Sequence, residues 1–281
     1  MSTQVQTFVG SGKISRRVQF GLLCLFIPLF LIPFYVVLSA SFKSSAGADV
    51  STMWKLPSEW TTSGISAAWN ALKGNFANSL TMTIPAVVIS SLIGSLNGFI
   101  LSKYKFKFSN FLFTLMLVGM FIPYQTILIP MVKFLQLIHL YGTIPGLALV
   151  HIVYGIPITS LMFRNFYISI PKAIVEAASI DGAGLIKTFV KIILPLSLPG
   201  FVVAGLFQFT NIWNDFLFGI VAIPNPVKQP VTAALNNLAG TQTVDWNVLM
   251  AGSLIAALPT ALIYLTLGRY YIQGLTAGSV K

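Results

Sequence analysis

Charge is scarce in this chain. Asp, Glu, Lys and Arg make up 8% of its 281 residues, and only 6 of them are acidic. No pair of acids, no Gly-x-Ser-x-Gly turn and no carboxylate in metal-ligand spacing beside either histidine, His139 or His151, stands out, so no reaction centre is legible. Only Lys43 and Lys187 are followed by Ser or Thr, and neither is preceded by Gly, which excludes a phosphate-cradling P-loop and with it an ATP-driven motor. The single cysteine, Cys24, excludes an intrachain disulfide framework and a Cys-based metal cluster. The net charge of +11 does not point to nucleic acid, because the 17 Lys and Arg lie scattered at segment ends without a basic stripe.

Apolar residues dominate instead. At 56% hydrophobic and a mean hydropathy of +0.83, the chain reads as an all-α polytopic membrane protein. A polar segment 1–17 leads into an apolar run from Val18 to about Ser41, too long for a signal-peptide core of roughly 7–15 residues and therefore expected to be an uncleaved span. Residues 43–77, with Trp54, Trp60 and Trp69, read as a loop along the outer interface. Further runs at 79–101, 108–132, 143–163, 198–222 and 247–268 complete six expected spans. Prolines inside them (Pro85, Pro123, Pro157 and Pro259 among others) predict kinks, which suit a cavity or a moving bundle.

Orientation follows from the retention of positive residues on the cytoplasmic side. With the N-terminus inside, the inner segments hold Lys13, Arg16, Arg17, Lys103, Lys105, Lys107, Arg164, Lys172, Lys187, Lys191, Arg269 and Lys281. The outer ones hold Lys43, Lys55, Lys73, Lys133 and Lys228. Both termini are thus expected in the cytoplasm.

The fifth run carries the most polar groups: Gln208, Thr210, Asn211, Asn214 and Asp215, between Phe207, Phe209, Trp213 and Phe216. Asp215 is the one acid placed within a span, where a carboxylate needs a partner or water. In one helix, Gln208, Asn211 and Asp215 at i, i+3 and i+7 share a face. Amides and hydroxyls beside aromatic rings suit a polyol, and they equally suit a stripe that joins two helices; Asp215 lies either inside the membrane or at its outer edge. His151 reads as a helix-contact residue before it reads as a pore group.

One stretch breaks the apolar pattern, residues 176–195. Ile174, Ala177 and Ala178 give a short helix after Pro171 one small apolar face. Gly182 and Gly184 interrupt it, and Leu185, Phe189, Ile192 and Ile193 line a second short helix that Pro195 ends.

The spacing Glu176-Ala177-Ala178, Gly182, Ile192, Leu194-Pro195 resembles the cytoplasmic EAA loop of ABC importer permeases. Asn78-Ser79-Leu80, Gly98-Phe99, Pro123, Gln125, Trp213-Asn214-Asp215, Ala251, Leu258-Pro259 and the tail Gly274 to Lys281 are similar to the carbohydrate branch of that family, more closely to the shorter of its two permease subunits. The resemblance implies a six-span type I ABC importer permease fold. Its parts are a first helix at 18–42, an outer loop at 43–77, a permease core at 78–269 with the coupling loop at 165–197, and a cytoplasmic tail at 270–281. It implies a multi-pass protein of a bacterial or archaeal cytoplasmic membrane, embedded in lipid, without nucleic acid and without catalysis of its own. The implied partners are a second homologous permease, two ATP-binding subunits that hold ATP and Mg, and an extracytoplasmic solute-binding protein. The coupling residues it implies are Glu176, Ala177, Ala178, Asp181, Gly182, Ile192, Leu194 and Pro195, with Gly278 and Lys281 of the tail. Gln208, Asn211, Trp213, Asn214 and Asp215 are the expected substrate path, for a sugar or oligosaccharide. A permease for another solute, such as a polyol or polyamine, stays open. An ion-driven carrier is disfavoured by the lack of a repeat and of further intramembrane ionisable groups.

Overall fold

The computed structural model describes residues 16–240 and 244–276, and every regular element among them is helical. In order, these are α1 (Arg16–Ser41), α2 (Ser63–Lys103), α3 (Ser109–Met120), α4 (Leu128–Leu137), α5 (Ile144–Ile168), α6 (Lys172–Ile180) and α7 (Leu185–Thr188). Then follow α8 (Leu194–Leu196), α9 (Leu198–Trp213), α10 (Leu217–Ala222), α11 (Val231–Leu238) and α12 (Trp246–Thr276). Four helices, α1, α2, α5 and α12, are each long and apolar enough to cross a membrane, and two bent pairs bring the number to 6 when each is taken as one span.

Three expected boundaries are corrected. Segment 43–77 is not all loop, since α2 begins at Ser63. Its 41 residues make a rod of about 60 Å, twice the hydrocarbon thickness, so its polar first turns stand outside lipid. The expected span 108–132 is broken, with α3 and the Tyr124–Leu137 segment meeting at 92°. Pro123, which has no N–H to continue the ladder, sits at that break. The expected span 198–222 is also interrupted, because α9 stops at Trp213 and α10 starts only at Leu217.

The bundle is built around α2 and α5, which cross where both carry small residues. A Cβ at Gly94 would lie 2.1 Å from Thr159 Oγ1, and one at Gly98 would lie 2.6 Å from the Arg164 backbone nitrogen. Thr159 Oγ1 donates to Ser90 O at 3.0 Å, so the contact is also stitched by hydrogen bonding. Apolar side chains gain nothing by leaving lipid, and helices in a membrane associate by such close packing and interhelical hydrogen bonds. Below this crossing, Phe99, Phe163, Tyr167, Phe189 and Ile193 form one buried cluster; on its other side, Met82, Leu135, Leu147, Ile212 and Phe218 form a second.

Residues 42–62 pack as a strap between the ends of α1 and α2. Lys43 is buried, and its Nζ donates to Thr52 O at 2.6 Å and Met53 O at 3.4 Å. Burial, with a smaller push from Lys55, holds its ammonium below the usual lysine range.

Gly98→Ala places a methyl against backbone that cannot yield, and is expected to destabilise the protein by about 1–3 kcal/mol. Gly74→Ala on the same helix meets nothing within 4 Å. Thermal unfolding of the two detergent-solubilised variants tests this, with a lower midpoint expected for Gly98→Ala and an unchanged or higher one for Gly74→Ala.

Candidate functional site

The 176–195 stretch folds as a bracket at one end of the bundle, anchored by Phe189 and Ile193 in the cluster around Phe99 and Tyr167. In α6, Val175 and Ala178 are buried at 8% and 4% exposure, while Glu176, Ala177, Ile180 and Asp181 face outward. The inward face is therefore Val175 and Ala178, with Ile174 only half-buried and Ala177 on the open side, which corrects the face expected from spacing. Ala178 supports the helix from within.

Gly182 ends α6 with φ +71°. The Ala183 N–H donates to Ala178 O at 2.9 Å and the Gly182 N–H to Ser179 O at 3.1 Å. Together these bonds make a Schellman cap, which satisfies the last helical carbonyls and needs a left-handed residue at that point. A Cβ there would meet nothing within 4 Å, so within this chain Gly182 serves conformation rather than close packing.

The second arm is not one plain α-helix. After α7, Phe189–Ile193 forms a π turn and α8 continues through Pro195. The turn accommodates the proline, which cannot donate a ladder hydrogen bond. Phe189 and Ile193 are buried and Ile192 and Leu194 half-buried, while Pro195 lies on the surface. The arm meets α9 at 79° around Ser197, whose Oγ pairs with Tyr167 Oη at 2.8 Å; Tyr167 Oη also meets Ser95 Oγ at 2.5 Å. This buried triad joins α2, α5 and the corner. Gly278 and Lys281 lie outside the described residues.

The polar groups of the fifth run surround a cavity of about 840 Å³ between α3, α5 and α9. Both interruptions of the spans open onto it, Met120 and Tyr124 from one and Asn214, Asp215 and Phe216 from the other. The second interruption supplies its own backbone partners. Asn214 Nδ2 donates to Thr210 O at 2.9 Å, Thr232 Oγ1 donates to Asp215 O, and the Asp215 carboxylate accepts from Phe218 N at 3.3 Å and Gly219 N at 3.0 Å. Irregular backbone within a membrane-spanning segment persists only where it is paired or lines a cavity, and both conditions are met here.

Four of the five expected path residues border the cavity: Gln208, Asn211, Asn214 and Asp215. Asp215 reaches it because the helix stops, and not through a shared i, i+7 face. Gln208 is nevertheless 3% exposed, and its Nε2 donates to Ser90 Oγ at 3.1 Å in the notch left by Gly155. It is chiefly a joint between α2 and α9. Trp213 is corrected: it is fully buried on the opposite side, donates to Ala256 O at 2.8 Å and stacks on Phe209 at 5.5 Å.

Sequence reasoning missed the partner of Asp215. His151, on α5, places Nε2 3.6 Å from Asp215 Oδ2, with the side chains 6% and 11% exposed. The clue was available, since Asp215 is the one acid and His151 the one histidine within the apolar spans. The 64-residue gap (215 − 151) concealed it. Tyr124, Tyr154 and Phe218 also line the cavity.

Fold, bracket and cavity together define a multi-pass membrane component of a transport system. Residues 86–275 match the family described as binding-protein-dependent transport system inner membrane component, and the chain belongs to that family. It is 51% identical over 185 residues to a probable ABC transporter permease protein of Pyrococcus horikoshii, covering 66% of this chain and 67% of that one. It is 32% identical over 294 residues to a xylose/arabinose import permease protein of Haloferax volcanii, covering 96% and 95%. A chain in the crystal structure of a bacterial ABC transporter involved in the import of the acidic polysaccharide alginate shares the fold at a TM-score of 0.80 and 19% identity, covering 96% of this chain and 100% of that one.

Gly182→Ala forces a Cβ into the left-handed region at about 1–2 kcal/mol. Gly184, at φ −69°, carries no such demand. Amide exchange over residues 176–183 should therefore quicken roughly fivefold or more in Gly182→Ala. It should stay at the wild-type rate in Gly184→Ala.

Proposed function

We propose that this chain is the permease subunit of an ATP-driven importer for a sugar or oligosaccharide. It forms the translocation pathway with a second homologous permease, receives solute from an extracytoplasmic binding protein and is driven by two cytoplasmic subunits that bind ATP and Mg. The observation that carries this reading is the bracket. Its α6 leaves Glu176, Ala177 and Asp181 exposed and Ile180 86% exposed, beside Ile186 at 60%, on a rigid support beyond the spans. Apolar side chains presented that way on a capped helix fit a partner's cleft. Both termini and the bracket lie in the cytoplasm, in keeping with the excess of Lys and Arg on that side.

The sugar assignment is supported by the xylose/arabinose relative, which aligns over 96% of this chain. The cavity agrees with it, since amide side chains and aromatic rings border the space. ATP binding draws the catalytic subunits together, α6 follows its cleft, and the corner at Ser197 passes the motion to α9.

Affinity purification of the tagged protein from mild detergent tests the docking surface. Wild type is expected to bring down a P-loop ATPase and a second permease. Glu176→Lys and Ile180→Asp should keep the permease and lose about tenfold of the ATPase, in the range of a hot-spot loss. Retention of full ATPase by both variants would remove the bracket from the contact.

A further inference from the structure

At the cavity the fold leaves bonding capacity of His151 and Asp215 unused, and both are buried or nearly so. His151 Nε2 is buried without a hydrogen-bond partner, because 3.6 Å to Asp215 Oδ2 is too long for one. Leaving a buried ring nitrogen open is costly. The Asp215 carboxylate accepts two backbone N–H groups, from Phe218 and Gly219, and about two of its four acceptor positions stay free. Three further rings stand around the pair. Phe218 lies 5.7 Å from the His151 ring, and Tyr124 and Tyr154 lie 5.5 and 5.6 Å from Phe218. Tyr124 comes from one broken span and Asp215 from the other, so this grouping exists only because both spans are interrupted.

We propose that His151 and Asp215, walled by Tyr124, Tyr154 and Phe218, form a contact subsite for an uncharged sugar or polyol within this chain. A ligand hydroxyl accepts from the imidazole Nε2–H and donates to the carboxylate, completing both groups; the ring faces cover the ligand's C–H surface. An uncharged ligand fits because the carboxylate is already engaged by two backbone N–H groups, and the other polar side chains from the fifth run at the cavity, Gln208, Thr210, Asn211 and Asn214, carry amides and a hydroxyl that bond hydroxyl groups. This inference rests on the importer reading above and adds that this subunit's own wall holds the solute and does not merely bound its path.

The test uses the complete importer with its binding protein in liposomes. Xylose, maltose and raffinose, each radiolabelled, are offered with choline as a cationic comparison, and solute moved per ATP hydrolysed is the readout. For the sugar that wild type moves, His151→Phe and Tyr154→Ala should each lower this ratio about tenfold, the scale of one lost hydrogen bond to a charged or buried polar group. His151→Gln, which keeps a donor, should recover at least half of it. A merely structural role would depress uptake and hydrolysis together and leave the ratio unchanged, which overturns the subsite. Choline transport abolished by Asp215→Asn would overturn the uncharged class. Failure of wild type to move any of the three sugars would overturn the sugar reading itself, an outcome separate from failure of the variants.

Discussion

The close approach of α2 and α5 is the constraint on which the other elements depend. At Gly94 and Gly98 the facing helix occupies the space where a side chain would begin. In a solvent as apolar as the side chains themselves, that contact must come from shape and hydrogen bonding. The same crossing provides the sockets for its neighbours. Gly155 leaves room for Gln208, which ties α9 to Ser90, and Tyr167 reaches from α5 to Ser95 and Ser197. One small-residue seam therefore fixes both the cavity wall and the corner behind the bracket.

Interrupted helices are expensive in lipid unless their freed backbone groups are satisfied. Here the residues that break α9 also meet that demand, Asn214 by returning to Thr210 and Asp215 by capping α10. Polar side chains needed for local backbone satisfaction thereby end up facing a cavity. Backbone satisfaction and the cavity lining thus use the same residues.

The long apolar helices were legible in the sequence. Hydropathy placed the starts of α1, α5 and α12 to within two residues, though α5 and α12 run about five and eight residues past the expected ends, and the Gly182 bend followed from residue type. The start of α2 was not legible, because its first turns carry Asn70, Lys73, Asn75 and Asn78 and so resemble a loop. Asn75 and Asn78 are polar there in order to hold the 226–229 segment through its carbonyls. The break near Phe121 was legible only as a kink at Pro123; its 92° angle was not, because apolar residues on both sides read as one span. Trp213 was grouped with the path because it lies among the polar residues of the fifth run, but its ring is buried on the other side of α9, stacked on Phe209 and bonded to Ala256 O; the helical count failed instead at Asp215, which lies past the end of α9. The His151–Asp215 juxtaposition depends on two chain segments meeting, which no local pattern encodes.

The arm between bracket and α9 has a mechanical consequence. It contains a π turn, holds buried anchors at Phe189 and Ile193, and joins α9 at 79° around a serine clamped by Tyr167. Two stiff members fixed nearly at right angles act as a bell crank: a shove along one is delivered as a sideways swing of the other. The π turn carries one extra residue, so the two members of the crank are offset in register from where a single continuous α-helix would set them.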